Sequence, residues 1–105
     1  MRRNEVWWAN LPHPIGHRPV LLLSRDEAYD IRDMVTVSPV TTRIHNIPAE
    51  VPLGPEDGLP RPSMVNLDTI DTIPKAALRE RITALTPEKV QAVNNALRFA
   101  LGLDE

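Results

Sequence analysis

The rhythm of apolar and polar positions changes character near the C-terminal end of this chain. Up to residue 84, aliphatic, β-branched and aromatic residues come in short bursts: EVWWAN, PVLLLS, MVTVSPV, AEVPL, SMVNL and RITAL. Proline-containing segments such as LPHPIG and IPAEVPLGPEDGLPRPS punctuate them. Proline fixes φ and removes a backbone donor, so long helices are excluded over most of this region. Several short strands at such spacing predict a compact, partly closed sheet. Residues 53–62 (LGPEDGLPRP) read as the clearest loop. The stretch DEAYDIRD (26–33) reads as either a helical turn or a polar connection between the two strongest strands.

After residue 85 the period becomes helical. Thr86 suits an N-cap, Pro87 the first helical position, and Glu88 the positive end of the helix dipole. Leu85 and Val90 have the spacing of a hydrophobic staple. Val90, Val93, Leu97 and Leu101 form one apolar stripe, and Gly102 is placed to stop the helix. The pattern predicts one amphipathic helix packed on the sheet.

Composition narrows the class. A hydrophobic share of 42% in 105 residues suits one domain spanning 1–105, with a single core. There are no cysteines, which excludes disulfides, thiolate chemistry and cysteine-type zinc sites. The opening MRRNEVWWAN has basic residues but no apolar run behind them, and no stretch approaches the roughly 18 apolar residues of a membrane helix. The expectation is a cytoplasmic protein with no membrane partner. Net charge is −2, against the basic balance usual in nucleic-acid binders. The acidity is concentrated: residues 49–72 carry −4, whereas 1–48 and 73–105 carry +1 each. A local cationic site outside the middle segment therefore remains open.

The candidate chemistry sits at GHRPVLLLSRD (16–26), where a charged pair precedes a buried-looking strand. If 18–25 and 34–41 pair antiparallel with Arg25 opposite Met34, Arg18 falls opposite Thr41. Directly opposed Cβ atoms lie about 4.5–5.5 Å apart. One sheet edge then gathers His17, Arg18, Thr41, Thr42 and Arg43. A guanidinium grips phosphate oxygens with two parallel bonds, and threonine hydroxyls donate to the same oxygens. Together they suit the extra charge of a pentavalent phosphorus transition state. Arginine is a poor proton donor, so proton transfer falls to water or to His17, the nearby imidazole. Each residue also has a plain reading: surface charge, β-propensity, solvated loop.

The ordered set NEVWWANL, GHRPVLLLSRD, VSPVTTRIHNIPAEVPL, GLPRPSMVNLDTIDTIPK and RITALTPEKVQAVNNALRFALGL resembles the MazF/PemK family of toxin endoribonucleases. Each motif alone is weak; their order over nearly the whole chain is specific. The resemblance implies a mainly β fold with α, a small SH3-like (CcdB/PemK-type) barrel with a C-terminal helix, usually a homodimer. It implies sequence-specific cleavage of single-stranded RNA without metal or cofactor, giving 2′,3′-cyclic phosphate and 5′-hydroxyl ends. It also implies a cognate antitoxin whose tail covers the RNA groove. The family's catalytic arginine and threonine map to Arg18 and Thr41, the pair that the strand register brings together. His17, Ser24, Thr42, Arg43, Asn66 and Thr69 are the further RNA-contact candidates, with Asp68 beside them. If 4–9 is a strand, Trp7 and Trp8 face opposite sides: one reads as core and the other as an interface or core aromatic, with stacking on a base or a partner as the alternative.

Three departures stand out. LPHPIGH is shorter than the loop that precedes the arginine in many relatives. TIDT replaces their QIRT, so Asp71 stands in place of an arginine. Asn4 stands where glycine is common. The runner-up reading is a non-catalytic module on the same barrel, either poisoning a protein target as CcdB-like relatives do or acting in a repressor complex.

Overall fold

The computed structural model describes residues 1–103. Seven strands, β1 (Glu5–Leu11), β2 (Gly16–Leu22), β3 (Met34–Thr41), β4 (Glu50–Leu53), β5 (Ser63–Asn66), β6 (Asp71–Pro74) and β7 (Leu78–Ala84), form a curled antiparallel sheet. Their order is β4-β5-β3-β2-β1-β7, with β6 also pairing β3. One helical turn, α1 (Ala28–Ile31), joins β2 to β3, and α2 (Pro87–Leu101) ends the fold. This is the expected mainly β architecture with a C-terminal helix. Among the described residues no helix is long and apolar enough to cross a membrane.

The continuous apolar run of β2 has a simple cause: both faces of that strand are buried. Leu21 and Leu23 enter one core cluster with Val6, Val40, Val65 and Val93. Val20 and Leu22 enter a second cluster with Ala9, Tyr29, Val35, Val37 and Ile73. The sheet curls between the two, and α2 covers the first.

β3 carries the turn of the sheet. Residues 37–39 pair with β2, Met34–Val37 with β6, and Val40 and Thr41 with β5. The observed partners Val20↔Pro39, Leu21↔Ser38 and Leu22↔Val37 are those of the expected register. The strand is shorter than expected, however, ending at Leu22 rather than Arg25. Strand β6 was not anticipated, because DTIP is short, polar and closed by a proline.

α2 begins as its caps require. The Thr86 side chain accepts from the Lys89 amide, Pro87 opens the helix, and Gly102 at φ 66° closes it. Val93 and Ala96 are its buried residues, with Leu97 and Ala100 packed beside them. Leu101 departs from the expected stripe: it is 55% exposed, because the last turn runs past the edge of the core.

At the other edge, Trp7 packs on the second cluster and its Nε1 donates to Glu5. Burial alone would raise the Glu5 carboxyl. Hydrogen bonds from Trp7, the Arg2 amide and Arg81 more than offset that and hold it below the usual carboxylate range.

Candidate functional site

The switch of β3 from one neighbour to another opens a groove at its C-terminal end. β2 and β3 stop pairing at Val20↔Pro39, and Thr41 leans onto β5 instead. Arg18, two residues before Val20 and on the same face, is left at the mouth of the opening. The groove encloses about 500 Å³, and Arg18, Thr41, Thr42, Arg43, Asn66 and Thr69 line it. Six of the eight site residues expected from sequence are thus brought together, although Arg18 and Thr41 are not themselves a hydrogen-bonded pair.

Local bonding holds these groups ready. The Thr41 hydroxyl oxygen accepts from the Arg43 amide at 3.1 Å, which leaves its own proton to donate outward. Asn66 closes a tight turn: its side-chain oxygen accepts from the Asp68 amide at 3.0 Å, and its amide nitrogen donates to Thr69 Oγ1 at 3.2 Å. Ser38, fully buried on β3, donates to the Thr69 carbonyl at 2.8 Å and pins that turn against the groove. Asp68 itself does not line the groove. Arg18 is half-buried and Arg43 exposed, and among the described residues neither belongs to any ion pair. Two guanidinium groups with unused donors beside two hydroxyls make a receptor for an oxyanion such as phosphate.

Two expected residues lie elsewhere. His17 is next to Arg18 in sequence and so points to the opposite face. There its Nδ1 meets Asn10 Oδ1 at 2.8 Å, and its ring stacks on Trp8 at 4.5 Å between centroids. Trp8 therefore faces away from Trp7, as the strand period required. Ser24 lies beyond the other end of β2, about 20 Å along the strand direction from Arg18 at roughly 3.3 Å per residue. Its hydroxyl accepts from the Thr36 amide at 2.8 Å, a link that joins β2 to β3.

Three residues not anticipated line the groove: Pro39 and, of more chemical interest, His45 and Glu50. Glu50 is only 8% exposed; Oε1 accepts from the His45 amide at 3.0 Å, and Oε2 is buried without a partner among the described residues. The signal available in sequence was HNIPAE, where an acid opens a strand directly after a polar loop. Among the described residues no group of three or more His, Cys, Asp or Glu is arranged to hold a metal ion.

Fold and site together define a small curled β barrel with a groove lined by arginines and threonines. Comparison with known proteins gives the family. The profile described as "PemK-like, MazF-like toxin of type II toxin-antitoxin system" matches residues 2–101, and the chain belongs to that family. It is 40% identical over 100 residues to a probable endoribonuclease MazF5 of Mycobacterium tuberculosis, covering 94% of this chain and 91% of that protein. The Mycobacterium tuberculosis toxin MazF-mt6 superimposes with a TM-score of 0.88 at 34% identity, over 96% of this chain and 99% of that one. An endoribonuclease in complex with its cognate antitoxin, from a mycobacterial species, gives a TM-score of 0.87 at 32% identity, over 98% of this chain and 96% of that one.

Proposed function

We propose that this protein is an endoribonuclease toxin that cuts single-stranded RNA in the Arg18–Thr41 groove and is neutralised by a cognate antitoxin. Relatives named endoribonuclease, and a similar structure described as an endoribonuclease with its antitoxin, support the class and the partner. The observation that carries the reading to this chain is the convergence of Arg18, Thr41, Thr42 and Arg43 on one groove, with both arginines outside any ion pair among the described residues.

In the reaction we assign, the 2′-hydroxyl oxygen attacks the adjacent phosphorus and the P–O5′ bond breaks. The products are a 2′,3′-cyclic phosphate and a 5′-hydroxyl, and one proton moves in net from the 2′-oxygen to the 5′-oxygen. No metal is needed. Arg18 and Thr41 carry the charge that builds on the non-bridging oxygens, which preorganised donors stabilise better than water does. Thr42 and Arg43 hold the neighbouring backbone, and Asn66 and Thr69 present short polar groups to unstacked bases. His45, the imidazole lining the groove, takes the proton-transfer role that sequence reasoning offered to His17. Glu50 is a positioning residue that holds the His45 backbone. The same reading includes a homodimer in the cytoplasm, with the antitoxin tail laid over the groove.

The test is incubation of purified protein with a long single-stranded RNA in EDTA, followed by mapping of the ends. Discrete cuts with 5′-hydroxyl ends are expected. Arg18→Ala should slow them by roughly 100-fold or more, the usual cost of removing a transition-state donor. Intact RNA from folded wild-type protein would overturn the nuclease reading and leave the protein-binding module.

A further inference from the structure

Beside the groove, and sharing Arg18, Pro39 and Thr69 with it, lies a smaller cavity of about 140 Å³. Its walls are mostly apolar, with Leu11 from β1, Val20 from β2, Val37 from β3 and Ile73 from β6. One acid stands among them, Asp71. In the β3–β6 register Asp71 is opposite Val37, so its side chain leaves the sheet on the face shared by Val37, Val20 and Arg18. Asp71 is exposed, and among the described residues its carboxylate belongs to no hydrogen bond or ion pair.

A carboxylate beside a phosphate groove repels the RNA backbone and does nothing for affinity in general. It becomes favourable only toward a substrate group that donates to it. A mostly apolar slot with a few polar groups at its wall, here Arg18, Thr69 and Asp71, is the usual build of a pocket for a flat heterocycle. Bases of single-stranded RNA are splayed out and read on their Watson–Crick edges. On that edge guanine alone offers two adjacent donors, N1–H and the N2 amino group, which match the two oxygens of a carboxylate. Adenine and cytosine set a ring-nitrogen lone pair beside their amino group, and uracil flanks its single N–H with two carbonyls. Each of these turns an acceptor toward Asp71.

We propose that this cavity holds a guanine within one nucleotide of the cleaved phosphate, and that Asp71 selects it through N1–H and N2–H. The proposal rests on the nuclease reading and specifies its substrate: RNA with guanine at one fixed position next to the cut.

The experiment maps wild-type cut sites on a long RNA, then replaces the guanine by inosine, which lacks the N2 amino group. The wild-type cut sites should share a guanine immediately 5′ or 3′ of the break. Inosine should lower kcat/KM by about tenfold, the effect of losing one hydrogen bond to a charged group. Asp71→Asn should cut the guanine substrate at least about tenfold more slowly, and it should no longer separate guanine from inosine. Binding of the uncleavable 2′-O-methyl oligonucleotides should show the same loss of discrimination. Thermal melts check that the variant is folded, and Asp71→Ser serves as a second substitution. A motif without guanine at that position, or Asp71→Asn with the wild-type rate and guanine preference, overturns the base pocket. If Arg18→Ala is inactive in that same series, the nuclease reading survives. Absence of cleavage by folded wild-type protein overturns both.

Discussion

Tyr29 is 5% exposed, and burial pushes its hydroxyl up to about 12, although that hydroxyl donates to the Ser24 carbonyl at 3.2 Å. The unfolded chain loses the same proton near pH 10. Stability linked to this group is therefore complete below pH 10 and declines between about pH 10 and 12, by on the order of 2 kcal/mol in all. Urea melts at pH 9 and pH 11.5 should show the decline, and Tyr29→Phe should reduce it. Asn4 makes a second case. It sits at φ 70°, in the left-handed region that favours glycine, and its side-chain oxygen is buried without a partner among the described residues. Asn4→Gly relieves both and should raise the midpoint of a thermal melt, by up to about 1 kcal/mol of stability. The histidines give a third. His45→Ala should slow cleavage, while His17→Ala should leave the rate in place. Single-turnover rates decide the matter, and the reverse pattern would return the proton-transfer role to His17.

The elements themselves were legible where one physical signal dominated. The cap residues of α2 name its start and stop, and Thr86→Ala should cost about 1 kcal/mol by leaving the Lys89 amide unpaired, measurable by chemical denaturation. The β2 and β3 strands were legible as apolar runs, but their register was not: β2 is buried on both faces, so its pattern excludes no one-residue slip, and the pairing Val20↔Pro39 decides it. That register put Arg18 near Thr41. The same period-two rule removes His17 from the groove: a neighbour in sequence is on the other face of a strand. Ser24 was misplaced because β2 ends at Leu22 and the chain turns into α1. His45 and Glu50 escaped notice because their approach to Arg18 depends on β4 pairing with β5, a contact between segments that no local pattern announces. β6 escaped for want of apolar residues, although Ile73 anchors it in the core.

Across the whole molecule, one geometric device creates the site. β3 is shared among β2, β5 and β6, and where it passes from β2 to β5 the sheet parts and leaves Arg18 and Thr41 facing a common space. The net negative charge does not oppose this, because Arg18 and Arg43 stand in the groove without ion-pair partners among the described residues. The scaffold is a family property, visible in the match over residues 2–101. The groove's chemistry is a claim about this chain, and it turns on the RNA supplying its own nucleophile. The most direct measurement uses an RNA with a mapped cut and a single 2′-deoxynucleotide placed just 5′ of that phosphate. Cleavage at the substituted position should vanish while cuts elsewhere in the same molecule persist. Undiminished cleavage there would mean that another nucleophile attacks, and would contradict the account.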